Sequence, residues 1–314
     1  MLRYIIKRIL LMIPVLVGVS FIVYTIAGYD VDPIVYRLIG DEATDEQVEN
    51  LKVQLGLDKP VLIRYVEYMG NLLKGDLGKS YRTGADVFST YAESMPLTLR
   101  LSLASVFVSC IISLPLGIIS ALKRGTIIDN ISMVAALIGL ATPNFWLGLM
   151  LIILFSQKLG WFPTGGARDG IMSFVLPAIT VGTGMTASLT RQTRASMLEV
   201  IRADYLRTAR AKGVSERRVI LYHALRNALI PIITVIGGQV AATLAGSALT
   251  ETVFALPGAG RIMVNAIDTF DFQMITGLVL MKSMVTACIL LGVDLLYALV
   301  DPRIKAQFAK GGKK

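Results

Sequence analysis

The sequence predicts an all-α integral membrane protein of six transmembrane helices, with cytoplasmic N- and C-termini and a large extracytoplasmic loop after the first helix. Three observations predict it. Of 314 residues, 54% are hydrophobic and 17% charged, which leaves too little polar surface to cover a soluble protein of this size. Apolar runs at 9–27, 97–122, 131–155, 174–189, 229–250 and 274–300 are each long enough, or nearly so, to cross ~30 Å of hydrocarbon at ~1.5 Å per residue. With six spans and an inside N-terminus, the strongly basic connections all fall on one side.

The first run follows Arg3, Lys7 and Arg8. It is too long for a signal peptide and no clean small-residue cleavage site follows, so residues 1–28 read as a cytoplasmic start and a retained span. Residues 29–96 are expected outside, because the segment from Gly28 to Pro96 carries twelve acidic and seven basic residues. Within it Thr44–Gln47 fits a capping box, after which Val48, Leu51 and Leu55 share a helical face that stops at Gly56. A second short helix should run from Asp58 or Lys59 through Leu62, Tyr65, Val66, Met69 and Leu73 to Gly75, making a helical cap over the outer mouth. Gly78-Lys79-Ser80 matches only the end of a P-loop: Leu73 stands where the opening glycine belongs and no strand precedes it, so no ATP site is expected.

Residues 97–302 read as a five-span core and 303–314 as a basic cytoplasmic tail. Lys123 and Arg124, the 191–228 loop, and Arg303, Lys305, Lys310, Lys313 and Lys314 supply the inside charge. The fourth run is short and less apolar, because Gly182, Gly184 and several threonines interrupt it. Pro14, Pro115, Pro143, Pro177 and Pro231 lie in or at the ends of runs, where each removes a backbone donor; static bends and moving hinges both fit. In the fifth run Gly238, Ala242 and Gly246 repeat every four residues, with Gly237, Ala241 and Ala245 alongside, a face suited to close helix approach.

Charges within spans are costly and often functional. Lys282 and Asp294 lie ~18 Å apart along the sixth helix and about 120° apart around it, so they cannot pair with each other. Lys282 can snorkel outward while Asp294 pairs near the inner face with Lys123, Arg124 or a tail residue. Alternatively both stand in a substrate path, Lys282 suited to a carboxylate and Asp294 to an amine.

The basic excess does not point to nucleic acid, since the basic residues cluster beside apolar spans rather than among exposed aromatics. Anionic lipid headgroups suit them better. Cys110 and Cys288 lie inside runs without any CxxC or Cys/His cluster, and His223 is the sole histidine, so no catalytic group, bound cofactor or metal site is expected.

From Arg191 to Asn227 nine basic residues face three acidic ones. Asp204–Lys212 reads as a short helix that Gly213 stops in a left-handed cap, and Ser215 and Glu216 suit the start of a second helix reaching Leu225. Here the sequence resembles the permeases of binding-protein-dependent ABC importers, specifically the first-permease type of the oligopeptide/dipeptide/nickel group. The residues carrying the resemblance are Arg207-Thr208-Ala209-Arg210-Ala211-Lys212-Gly213 and His223-Ala224-Leu225-Arg226-Asn227-Ala228-Leu229-Ile230-Pro231. Arg207-Thr208-Ala209 replaces the Glu-Ala-Ala of the general importer pattern, and the distance from Gly213 to Pro231 is longer; both departures are expected of this branch. Gly56-Leu57-Asp58-Lys59-Pro60, Gly75-Asp76-Leu77-Gly78 with Ser80, and Phe254-x-x-Pro257-Gly258-x-Gly260 resemble further signatures of it.

The resemblance implies a permease subunit moving di- or oligopeptides across a bacterial or archaeal plasma membrane, with nickel or glutathione as same-family alternatives. It implies a second homologous permease, two cytoplasmic ATPases that carry ATP and Mg, and an extracytoplasmic substrate-binding protein. It also implies that Arg202, Asp204, Arg207, Ala209, Ala211, Lys212, Gly213, Glu216 and Arg217 dock on an ATPase. Gln239, Thr243, Glu251, Phe254, Pro257, Gly258, Lys282 and Asp294 are then candidates for the path or gate. An ion-driven transporter would want broken repeats and buried carboxylates, and a membrane hydrolase a histidine inside the bilayer; the runs offer only Asp294 for the first and nothing for the second.

Overall fold

The computed structural model describes residues 2–40 and 42–300; the basic tail lies outside the described residues. Helix α1 (Leu2–Ala27) leads to three short outer helices, α2 (Asp32–Ile39), α3 (Asp45–Gln54) and α4 (Val61–Leu72). The core holds α5 (Val87–Leu122), α6 (Ile127–Ala141), α7 (Asn144–Leu151, running on in wider π turns to Lys158) and α8 (Met172–Ile201). After α9 (Asp204–Ala211) come α10 (Glu216–Arg218), a π turn through Ala224, α11 (Leu225–Gly246), α12 (Ala248–Val253), α13 (Ala259–Asp268) and α14 (Phe272–Val300).

Among the described residues five helices are long and apolar enough to span a membrane, and there are up to six if the bent pair of α6 and α7 is counted as one span. The expected third run, 131–155, is broken at Pro143, one of the prolines where a bend or hinge is expected. Its halves α6 and α7 meet at 93°, because Pro143 cannot donate a backbone hydrogen bond and Thr142 before it is extended. Helix α5 starts ten residues earlier than expected, at Val87, since the Asp86 carboxylate accepts the Ser89 N–H at 2.8 Å and caps it. Helix α8 runs twelve residues past Leu189, and 216–246 is one continuous helix. The basic segment is thus two long helix ends around a short corner rather than a free loop.

The doubtful fourth span is the central one. Helix α8 is the most buried spanning helix, so its threonines and glycines meet protein rather than lipid. Along α5, Ser94, Thr98, Ser102, Ser105, Ser109, Ser113 and Ser120 are all buried. Small side chains let the two helices close up: a Cβ on Gly182 would stand 2.7 Å from the Ser105 carbonyl, and Ser113 donates to the Thr186 carbonyl at 3.1 Å. Within a bilayer such close packing and hydrogen bonding hold helices together, because lipid tails are as apolar as leucine.

The short helices α2 to α4 instead pack on a hydrophobic core, burying Tyr24, Ile34, Val35, Val48, Leu57, Tyr65, Tyr68 and Phe272 in one cluster. The capping box at Thr44 forms as expected. The face of α4 differs: Leu62, Val66 and Leu73 are exposed while Arg64, Tyr65 and Tyr68 are buried, and Arg64 Nη2 donates to the Gly28 carbonyl at the end of α1 at 2.8 Å. A cation there suits the negative end of the helix dipole.

Helices α1 and α14 run antiparallel, with Arg8 and Asp294 paired at 3.1 Å near one end and Tyr24 against Phe272 at 4.8 Å near the other. Asp294 therefore meets Arg8, not Lys123 or Arg124: α1 covers that face of α14 and brings its own cation level with the carboxylate.

Candidate functional site

Three places gather polar groups that the bundle positions closely. The first is the inner corner. Gly213 has φ +75°, and its N–H donates to the Arg210 carbonyl at 2.9 Å while Val214 N–H reaches the Ala209 carbonyl at 3.3 Å. These two bonds make a Schellman cap, which glycine enters at least cost. Across the corner Arg210 grips Glu216 through two bonds of 3.0 and 2.8 Å. That guanidinium holds the Glu216 carboxyl below its usual range.

The Ser215 hydroxyl caps nothing; the start of α10 relies on the Ser215 carbonyl, which accepts from Arg218 and Val219 at 2.9 and 3.0 Å. Leu206 and Val219, fully buried with Leu189, Met197 and Ile232, fasten the corner to the bundle. Arg202, Asp204, Arg207, Ala211, Lys212, Gly213, Glu216 and Arg217 are exposed beneath it, and Ala209 is half-buried.

The second place is an outer knot around Glu251, which is 1% exposed. Its Oε1 accepts from the hydroxyls of Thr98 and Ser247 at 2.9 and 2.8 Å, and its Oε2 accepts the Arg261 N–H at 2.9 Å. The Thr98 hydroxyl in turn accepts the Ala259 N–H at 2.9 Å. Gly260 is required here, since a Cβ would stand 2.8 Å from Ala248 Cα and 2.9 Å from Glu251 Oε2. Gly258 is likewise pressed against that carboxylate, Phe254 is buried beside Gly148, and Pro257 is exposed. The Phe254 carbonyl accepts the Gly166 N–H at 2.9 Å, which ties the 160–171 loop to this segment.

Lys282 does not snorkel. It is 9% exposed, with its ammonium lacking a hydrogen-bond partner among the described residues. The expectation failed because α14 turns that face into the protein rather than into lipid.

The third place is a cavity of about 390 Å³ at the break of the third span, lined by Thr142, Pro143 and Asn144, by Gly184 and Met185 of α8, and by Thr243 of α11. Gln239 lies one turn inward from Thr243. Its Nε2 donates to the Met185 carbonyl at 3.1 Å while Oε1 is buried without a partner. Ala242 and Gly246 also face the cavity, and around Gly238 and Gly246 there is open space. On the neighbouring row of small residues Gly237 is filled within this chain by Val293 of α14, and Ala241 is buried.

Sequence reasoning missed Asp129. It is 3% exposed at the start of α6 and accepts two bonds from Arg194 of α8 at 2.9 and 2.8 Å, one from Gly125 N–H at 2.9 Å, and one from the Ser120 hydroxyl of α5. Placing the third span at residue 131 put Asp129 in a loop. A lone acid so near an apolar run was the available signal.

Residues 113–306 match the family described as Binding-protein-dependent transport system inner membrane component, and residues 1–103 match its N-terminal membrane component. The Di/tripeptide transport system permease protein DppB of Pseudomonas aeruginosa is 39% identical, covering 98% of this chain and 100% of its own. The Oligopeptide transport system permease protein AppB of Bacillus subtilis is 37% identical over 97% and 100%. The Glutathione transport system permease protein GsiC of Escherichia coli is 40% identical over 97% and 99%. In fold, a chain of the MetNI methionine ABC transporter superposes with TM-score 0.56 at 20% identity, over 68% of this chain and 96% of that one. The chain therefore belongs to the inner-membrane components of binding-protein-dependent ABC transport systems, as a multi-pass permease subunit that is not itself an enzyme.

Proposed function

We propose that this chain forms one half of the path of an importer for short peptides. A second homologous permease completes the path, two cytoplasmic ATPases carrying ATP and Mg drive it, and an extracytoplasmic binding protein delivers the peptide. Substrate class is inferred from relatives named for di- and tripeptides and for oligopeptides. The glutathione permease, 40% identical, favours a second reading in which the cargo is that thiol tripeptide.

The observation that carries coupling is the exposed corner at Gly213. A short basic helix, a left-handed glycine and a helix continuous from Glu216 to Gly246 form a lever whose far end borders the cavity. Closure of the ATPases would push Arg202, Asp204, Arg207, Ala209, Ala211, Lys212, Gly213, Glu216 and Arg217, tilt α11 and switch access between the inner and outer mouths. Gln239 and Thr243 would border the path. Glu251, Phe254, Pro257 and Gly258 would form part of the outer gate, with Lys282 and Asp294 as further candidates for the path or gate.

The test is Gly213→Val in the reconstituted complex. A β-branched residue at φ +75° should distort the corner, so peptide uptake falls steeply while membrane insertion and assembly persist. Normal uptake would remove the lever.

A further inference from the structure

We infer that α4 lies in the outer leaflet of the membrane as an interfacial helix, with Leu62, Val66 and Leu73 against lipid acyl chains and Glu67 and Asn71 toward water. The partner is the bilayer rather than the cargo, so the inference stands whatever the importer carries.

Depth is set by α1. Its apolar run from Ile9 to Ala27 follows Lys7 and Arg8, and at ~1.5 Å per residue it measures about 28 Å, close to the ~30 Å of hydrocarbon it has to cross. The run has little slack. Ala27 therefore stands near the outer boundary, and Ser20, seven residues inward, stands about 10 Å below it. Helix α4 meets α1 at that lower level: the Tyr65 hydroxyl donates to the Val17 carbonyl at 3.1 Å and lies 2.9 Å from Ser20 Oγ, and Met69 Sδ is 4.0 Å from the same Oγ. Arg64, by contrast, holds the Gly28 carbonyl at the outer end of α1 at 2.8 Å.

The circumference of α4 follows the same vertical order. At about 100° per residue, Arg64, Tyr65 and Met69 come in turn around the helix, from the end of α1 down to Val17 and Ser20. Continuing the same way round come Leu62, Leu73 and Val66, within about 40° of one another. All three are exposed, Leu62 and Val66 by 63% each. Glu67 and Asn71 stand on the other side of Arg64 and are exposed as well, with Glu67 accepting from Lys59 at 2.7 Å. The apolar strip thus starts where α4 sits deepest against α1, and the polar strip starts where it meets the end of α1.

Lipid is the occupant this order selects. Phe21, Ile22 and Ile26 of α1 are exposed, and Phe21 meets the Tyr65 ring edge-on at 5.1 Å, so the lipid-facing surface of the span continues onto α4. Left in water, the strip would be an apolar patch with nothing to cover it. A helix with one apolar and one polar face lies flat at the boundary between headgroups and acyl chains, its apolar side inward. Seated so, α4 fixes the height of α1 and, through Tyr24 against Phe272, of the outer end of α14.

The test attaches a nitroxide to a single cysteine, Leu62→Cys, Val66→Cys, Glu67→Cys or Asn71→Cys, in the assembled transporter with its other cysteines, Cys110 and Cys288 included, replaced by serine. The complex is reconstituted in liposomes of phosphatidylethanolamine and phosphatidylglycerol. All four side chains are exposed, and the Lys59–Glu67 pair lost in one variant is a surface pair of small worth, so the fold persists. Relaxation of each label by oxygen, which partitions into acyl chains, is compared with relaxation by a water-soluble nickel chelate. The oxygen-to-chelate ratio should lie above unity at Leu62→Cys and Val66→Cys and fall below unity at Glu67→Cys and Asn71→Cys. A ratio below unity at all four sites puts α4 in water and overturns the inference. A ratio above unity at all four removes the sidedness and overturns it too. Shielding of positions 62 and 66 from both reagents means that protein, not lipid, covers the strip, which is equally fatal.

Discussion

Asp129→Ala gives the sharpest test of how the inner half of the bundle is held. The substitution strips a 3%-exposed carboxylate that accepts four donors: two from Arg194, one from Gly125 and one from Ser120. Removing one member of a buried ion pair costs about 3–5 kcal/mol, mostly through the charge left behind. The Arg194 side chain is 27% exposed, so water at the inner interface can partly rehydrate it, and the lower end, about 3 kcal/mol, applies. Asp129→Asn, which keeps one acceptor oxygen but leaves the Arg194 charge as unpaired as alanine does, should cost nearly as much, about 2–3 kcal/mol. The assay is the denaturation midpoint of the purified subunit in detergent micelles titrated with sodium dodecyl sulfate, for Asp129→Ala, Arg194→Ala and the double variant. The two losses should overlap, with a coupling of at least about 1.5 kcal/mol. Simple additivity would refute the claim that these groups act as one tie between α5, α6 and α8.

Two further expectations separate fold from assembly and fix the pH response of the corner. Gly237→Ala should destabilise the subunit by about 1–3 kcal/mol, because its Cβ would stand 3.0 Å from Val293 Cβ in a filled interface. Gly246→Leu meets open space within the chain, so it should leave the denaturation midpoint unchanged and reduce copurification of the second permease; intact copurification would place the partner elsewhere. Glu216, its folded pKa lowered by Arg210, contributes order that is present above the ordinary carboxylate value of about 4.3 and is lost as pH falls through the lower folded value. The protection of the Gly213 and Val214 amides, taken relative to the intrinsic exchange rate at each pH, should therefore be flat from about pH 5 to 8 and fall in acid. Glu216→Gln should show lower protection than wild type from about pH 5 to 8 and converge on it in acid; if it is protected like wild type at neutral pH, the ion pair does not order the corner.

Much of this architecture was legible because its causes are local or compositional. Apolar runs gave the five long helices and the bent pair, Thr44 and Gln47 the capping box, and Gly213 the left-handed corner. What escaped depended on neighbours. A proline in a run reads the same whether it is absorbed, as Pro115 is within α5, or breaks the span, as Pro143 does, since the outcome depends on what packs beside it. Polar residues in a run look like weakness until α8 proves to be surrounded by protein. The partner of a buried charge is the least legible feature: Asp294 finds Arg8, 286 residues away in sequence, and Asp129 finds Arg194.

The two carboxylate ties also say where the chain can change shape. Asp129 joins α5, α6 and α8 near the inner face, and Glu251 joins α5 to α12 and α13 near the outer face. Each would leave charged or polar groups buried and unpaired if it opened, so α5 and what it holds resist deformation. Helix α11 has fewer such constraints: its Gly238 and Gly246 face open space, and it borders the cavity beside Pro143. It is also the helix continuous with the corner at Gly213. A push at that corner would accordingly move α11 past a frame pinned at both ends, and the strain would concentrate at the Glu251 knot, where α11 passes through Ser247 into α12.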